Sequence, residues 1–399
     1  MGIRVAQQLH EAGDEASFVV HERSLPLLTD TPFRRVPIHD HLGPLIKLLI
    51  ESQIAEEKPD SIILADYFTA TVLFLGLGVD PRFLLRFDTP LIAIDTWSHS
   101  ETGFVIDGYG DRTREVANWI DELPFRLRPA PIVRPVPRPG VCTILPDPVR
   151  IARRVRNHVR ANIGLTSSDR AVMFCTAQWQ YAANNDEEAT LLAENVPELL
   201  AYYVSKLGND VHLVHVGPAA YPLSGLLGER YHWLPALSPD QFDMVLGSMD
   251  LLLSANISAT TNAKAVASSI PVVVVENSCL AGTVEEATAG LREPPSPFLG
   301  EWIRRSLPLY PFRLWPLGFH DFLQPVLQDN SYCTAMEVVE LLDEDRVVTV
   351  CGGLLNSSAA REDLLQCQAA YAGETARLPT PVEIIESFLS GDAECRSSA

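Results

Sequence analysis

A histidine placed four residues after an aspartate, where an apolar run gives out, is the pairing in this chain best suited to chemistry. Asp95-Thr-Trp-Ser-His99 follows Pro90-Leu-Ile-Ala-Ile, and an imidazole beside a carboxylate can take a proton from a hydroxyl near neutral pH, the work of a general base. Asp66, Asp95 and Glu101 are the candidate carboxylate partners; the plain alternative is a surface-loop histidine. Of the ten histidines, His320, in the turn Gly318-Phe-His320, ranks second. Another constellation is rich in hydroxyls. Ser254-Ala-Asn-Ile-Ser-Ala-Thr-Thr261 leaves the apolar run Leu251–Leu253 and opens a helix, whose first N–H groups and positive dipole end suit a diphosphate. Ser258, Thr260 and Thr261 add donors and Lys264, one turn in, adds charge; an ordinary Ser/Thr helix cap is the bland reading. Gln178 with Trp179, and Glu276 with Asn277, each follow an apolar run at the carboxyl end of an expected strand, where ligands of open α/β sheets bind. Glu276 and Asn277 could equally cap the next helix.

These residues need a framework of alternating helices and strands. Residues 1–12 space Ile3, Val5, Ala6 and Leu9 as a helix that Gly13 ends, and residues 16–20 read as a strand. A helix over 45–55, a strand over 61–65 and a strand over 90–95 follow, the last apolar enough to be covered on both faces. Eight prolines between Pro124 and Pro148 argue against a regular interior element there and mark the end of a first domain. The pattern then resumes: a helix over 150–163, strands over 170–175, 211–216, 251–253 and 271–275, and helices over 187–206, 239–248 and 261–268. The expectation is an α/β chain of two doubly wound, Rossmann-like domains: residues 1–145, residues 146–330, and terminal helices with a polar tail over 331–399.

Composition excludes several classes. With 47% apolar and 21% charged residues the chain of 399 can build large cores. Its net charge of −20 disfavours nucleic acid as the main partner, though not a small anion in a local pocket. The seven cysteines are scattered and never in CxxC spacing, which argues against a disulfide framework and a zinc knuckle and fits a reducing cytoplasm. No apolar stretch is long enough to span a bilayer. His39-Asp40-His41 lacks a third ligand, and His212 and His215, at odd spacing on one strand, face opposite ways, so no metal site is expected. GxSxG, HExxH and Walker A motifs do not occur.

The run Tyr231-His-Trp-Leu-Pro235, Ser238-Pro-Asp-Gln-Phe242, Asp250-Leu-Leu-Leu-Ser254, Thr260-Thr261, Ala265-Val-Ala267 and Ile270-Pro-Val-Val-Val-Val275 resembles, over residues 145–280, the nucleotide-sugar half of the GT-B glycosyltransferases that decorate natural products. The resemblance implies a metal-independent transferase with its site in an interdomain cleft, using a UDP- or dTDP-sugar as co-substrate and no cofactor. In that family the loop after the first strand often carries the catalytic histidine, and no such loop precedes the opening helix here; His99 with Asp95 is the best-placed base among the ten histidines. Gln178, Trp179, Trp233, Ser258, Thr260, Thr261, Lys264, Glu276 and Asn277 would hold the donor, Trp233 by stacking on its base unless it is a core residue, and Glu276 and Asn277 by its sugar hydroxyls. Trp97, Trp315 and His320 would line the acceptor cleft; the aromatic stretch 310–320 could instead clasp the last helices to the core. Partners would be the donor and a small acceptor, with a homodimer left open. Two departures stand out. Asn256-Ile-Ser-Ala-Thr-Thr261 replaces a glycine-rich run, and Lys264 aligns with a ribose-binding glutamate. With the absent first loop they favour, as a rival, a donor-less auxiliary or binding protein, and because the family has non-transferring relatives, a sugar-nucleotide epimerase or hydrolase is a third reading. The family's first strand, before the opening helix, has no counterpart in the sequence; an upstream start or another segment filling its place is the expectation.

Overall fold

The computed structural model describes every residue except 30, 108–112, 116–117, 145–147, 178–193, 292, 308–318 and 392–399. The chain forms two compact units, residues 1–104 with 115–145 and 374–399, and residues 105–114 with 146–373. Among the described residues, no helix is long and apolar enough to cross a membrane.

In the first unit β3 (Ile62–Leu64), β4 (Leu91–Ile94), β7 (Phe125–Ala130) and β8 (Val141–Thr143) form a parallel sheet in that order. β4 is buried at all four positions, as its unbroken apolar run predicts. A separate parallel pair joins β1 (Ser17–His21) and β2 (Arg34–Ile38), and β5 (Val105–Asp107) and β6 (Thr113–Glu115) form a two-stranded sheet of their own. The helix Gly2–Ala12 ends at Gly13 in the left-handed region, as expected, and serves both sheets. Its Val5 packs with Ile92, Ile94 and Leu127, its Ala6 with Leu28 and Phe33.

The proline-rich stretch corrects the sequence reading, because it contains β7 and β8, with β7 in the interior of the sheet. Arg128 donates its N–H to Gly140 on the β8 side, and Leu127 accepts from Asp95 on the β4 side. The nitrogen of Pro129 therefore faces the β4 side beyond the last paired rung, Ile94 with Leu127, where no ladder bond is lost. The helix Pro381–Ser390 also belongs to this unit: Ile384 and Ile385 join its core, Phe388 stacks on Phe125 at 4.6 Å, and Thr143 donates to Pro379.

The second unit holds six parallel strands in the order β11 (Tyr231–Leu234), β10 (Val211–Val216), β9 (Arg170–Cys175), β12 (Leu251–Ser254), β13 (Val272–Glu276), β14 (Glu337–Glu340). Chain order runs outward from β9 on one side and from β12 on the other, so the direction of winding reverses between them. That switch point is where an open α/β sheet offers a crevice at its carboxyl edge. Its core, with Leu199, Leu253, Val273 and Trp302, covers both strands and helices.

Candidate functional site

In the first unit the paired groups foreseen from spacing do meet. β4 delivers Asp95, and a tight turn with Ser98 in the left-handed region (φ 52°) folds His99 back over it. The backbone N–H of His99 donates to both Asp95 oxygens (3.1 and 3.0 Å), and its Nδ1 lies 2.7 Å from Oδ1. A carboxylate only accepts, so Nδ1 carries the proton in this contact, and Nε2 is the ring nitrogen turned away from Asp95. The surface-loop alternative fails: His99 is 1% exposed. Tyr67, Trp97 and Phe104 stand around it with ring centroids 5.2, 5.8 and 5.7 Å away. Trp97, expected along an acceptor cleft, is itself buried and packs on Phe68 at 4.5 Å. The other two carboxylates have separate work. Asp66 caps the helix Tyr67–Gly76 through the N–H of Thr69 and accepts from Thr96, while Glu101 accepts from Ser98 and Arg138.

In the second unit the loop after β12 is held by Asn256, whose Oδ1 accepts from the N–H and Oγ of Ser258 (3.0 and 2.8 Å). The helix Thr260–Ala267 starts at Ala259 with no side-chain cap, so the plain Ser/Thr-cap reading does not hold there. Thr260 is exposed and Thr261 half-buried at that end. Lys264 is ion-paired with Asp243, which offsets the charge expected for a phosphate. Trp233 is not a core residue: on the edge strand β11 it is 39% exposed, its Nε1 donating to Gly217 at 3.0 Å. Gln178, Trp179 and Trp315 lie outside the described residues.

Sequence reasoning missed a relay at the carboxyl ends of β9 and β10. The N–H of Tyr221 donates to the Tyr231 hydroxyl (3.0 Å), which lies 3.0 Å from Nδ1 of His215, whose Nε2 lies 2.8 Å from the Thr176 hydroxyl. A neutral imidazole donates from one ring nitrogen and accepts at the other, and because the Tyr231 and Thr176 hydroxyls can each do either, both nitrogens of His215 are satisfied in either tautomer. Burial holds His215 neutral by lowering its pKa to about 4. The residue types gave no signal, because Tyr231 and Thr176 come from different strands; only the glycine at 217, where a Cβ would lie 2.6 Å from Nε2 of His215, marks the crowding.

At the end of β13, Glu276 meets His320, Oε2 to Nε2 at 3.0 Å. His320, expected in the acceptor cleft, thus pairs with an expected donor residue, both in the second unit. Burial, followed by the nearby Glu340 carboxylate, raises the Glu276 pKa to about 7. Asn277 is buried, its Oδ1 accepting from the N–H of Cys279. Among the described residues no cluster of three His, Cys, Asp or Glu could hold a metal.

A model of a family of unknown function, DUF6365, matches residues 5–392. The chain belongs to that family. No curated protein matches this DUF6365 chain by sequence. Among solved structures it is similar to Anabaena Alr3699/HepE in complex with UDP and glucose (TM-score 0.54, 10% identity, covering 98% of this chain and 94% of that one). It is also similar to the spinosyn rhamnosyltransferase SpnG complexed with thymidine diphosphate (0.53, 12%, 97% and 95%) and a candidate UDP-N-acetylglucosamine 2-epimerase from Listeria monocytogenes (0.53, 12%, 97% and 91%). Likeness at this identity establishes the fold: the DUF6365 chain has the two Rossmann-like domains of the GT-B architecture.

Proposed function

We propose that this protein is a metal-independent glycosyltransferase that moves a sugar from a UDP- or dTDP-sugar to a small natural-product acceptor in the cytoplasm. The observation that carries the reading is the Asp95–His99 pair: a carboxylate fixes Nδ1–H, and Nε2 is left as a base at the carboxyl end of β4. In the reaction, His99 Nε2 takes the proton of the acceptor hydroxyl as its oxygen attacks the anomeric carbon. The bond from that carbon to the phosphate oxygen breaks, and the nucleoside diphosphate leaves. Asp95 orients the imidazole and offsets the positive charge it gains. On the donor side, the uncapped first turn of Thr260–Ala267, with the hydroxyls of Thr260 and Thr261, suits the diphosphate, and the open face of Trp233 suits the base. Two similar structures hold a nucleoside diphosphate, thymidine diphosphate in SpnG and UDP in Alr3699/HepE, which supports the same reading.

One observation favours an auxiliary protein that binds the donor without turning it over: His99 is walled in by Trp97 and Phe104, so an acceptor reaches Nε2 only if that wall moves. Thermal unfolding with UDP, dTDP and their sugar conjugates tests donor binding, because a ligand held only by the native state adds about 2.7 kcal/mol at roughly 100 times its Kd. An upward shift followed by sugar transfer to a hydroxyl acceptor supports the transferase. A shift without turnover supports the auxiliary, and no shift with any nucleotide overturns both.

A further inference from the structure

Three guanidinium groups converge on one carboxylate beside the turn that carries His99. Arg128 lies near the carboxyl end of β7, and Arg134 and Arg138 stand in the connection to β8, Arg134-Pro-Val-Pro-Arg-Pro-Gly140. Glu101, two residues after His99, meets all three. Arg138 donates to its Oε1 at 3.2 Å, Arg134 forms an ion pair with Oε2 at 3.6 Å, and Arg128 lies 4.0 Å from Oε1. Ser98 donates to the same Oε1 at 2.8 Å. One guanidinium is enough to pin that turn, and three of like charge repel one another. The crowding is felt at Arg128, whose pKa is lowered by burial and then by the charge of Arg138, against the pull of Glu101. Other charges close by have work of their own: Arg126, on the same face of β7, is paired with Asp121 at 3.1 Å, and Asp95 holds His99. The Nε of Arg138 is buried with no hydrogen-bond partner among the described residues. A charged donor is therefore left over after Glu101 is served.

The backbone holds these groups ready. Arg128 is fixed by donating from Nη2 to the carbonyl of Pro139 at 2.6 Å, and Pro135, Pro137 and Pro139 stiffen the connection that presents Arg134 and Arg138. Those two side chains remain 33% and 35% exposed, open to a ligand, and a stiff backbone has little freedom to lose when one binds. We propose that Arg128, Arg134 and Arg138 form a binding site for a small molecule carrying a carboxylate, which on the transferase reading above is the acceptor. Glu101 shows the chemistry, because a planar carboxylate suits a guanidinium fork and its paired N–H donors. The ligand carboxylate takes donors that Glu101 leaves over and offsets the repulsion among the arginines. In a chain of net charge −20, a local positive group of this kind draws an anion in against the field of the whole molecule. The site does not depend on sugar transfer; its assignment to the acceptor does.

The site is tested without any donor, by following the arginine Nε–H signals in NMR spectra of the full chain titrated with benzoate, with its neutral counterpart benzamide, and with inorganic phosphate. Benzoate should move the Arg138 signal and benzamide should not. Read at the Arg128 signal, Arg134→Gln and Arg138→Gln should each weaken benzoate about tenfold, while Glu101→Gln, which removes a competing charge, should tighten it several-fold. An Arg138 signal blind to benzoate, or an affinity unmoved in all three variants, overturns the site. Tighter binding of phosphate than of benzoate overturns the choice of carboxylate. The acceptor assignment is tested with whichever UDP- or dTDP-sugar binds, by comparing transfer to para-hydroxybenzoate and to para-hydroxybenzamide. Faster transfer to the acid, with the advantage lost in Arg134→Gln, supports it. Equal rates, or no transfer to either with a donor bound, overturn that assignment and leave the site standing. If no donor binds, the transferase reading fails, and the benzoate titration still decides the site.

Discussion

Single residues divide by whether their partners were close in sequence. Asp95 and His99 were legible because four residues separate them and an apolar run leads in. The partners of Lys264 and His320 were not, because Asp243 and Glu276 arrive from other elements, and spacing says nothing about a contact across 21 or 44 positions. His99→Ala should lower turnover about 10²- to 10⁴-fold with nucleotide affinity unchanged; an equal loss in both would assign the residue to binding. Two buried groups predict opposite pH slopes. The folded His215 resists protonation down to about 4, whereas an unfolded histidine takes its proton near 6.5. Stability therefore rises with pH across that window, and His215→Gln should flatten the rise in urea unfolding series. Glu276 is raised, from 4.5 to about 7. Its contribution is present in full at low pH and is lost as pH climbs through that range, so Glu276→Gln should unfold at higher urea than the parent on the alkaline side and show no such advantage in acid.

Elements were readable where one signal dominated. β4 and β13 are apolar runs without a competing instruction, and both are strands. The stretch from Pro124 to Pro148 carried two signals, prolines against strand and alternating Phe125 and Leu127 for it, and the prolines misled because their cost depends on which side of the strand lacks a partner, a fact of sheet order. The same segment makes a demand on backbone shape. Gly140 adopts φ +75°, and a Cβ there would run into the carbonyl oxygen of Arg126 on the neighbouring strand. Gly140→Ala should therefore cost about 1–3 kcal/mol, read as a lower urea midpoint at unchanged slope. A wild-type midpoint would show that the turn tolerates a side chain.

At the scale of the molecule, two features were within reach of the sequence and one was not. The alternation of helix and strand gave the α/β class, and the ordered motifs from Tyr231 to Val275 gave the architecture that solved structures share at 10–12% identity. The return of residues 374–399 to the first unit was hidden, since Ile384 and Phe388 carry no mark of which core they enter. A chain ended before Glu374 should lose hydrogen-exchange protection in β7 and β8 while β9 to β13 keep theirs; unaltered protection in β7 and β8 would reduce that helix to decoration. The returning helix also sets a timetable for synthesis. Apart from residues 374–399, everything that belongs to the first unit is made before residue 146, and more than 200 residues of the second unit follow before the helix Pro381–Ser390 is made. At about 5–20 residues per second the gap lasts on the order of tens of seconds. Through that interval the nascent chain carries Phe125 and its apolar neighbours without their final cover, a window in which a chaperone has something to hold.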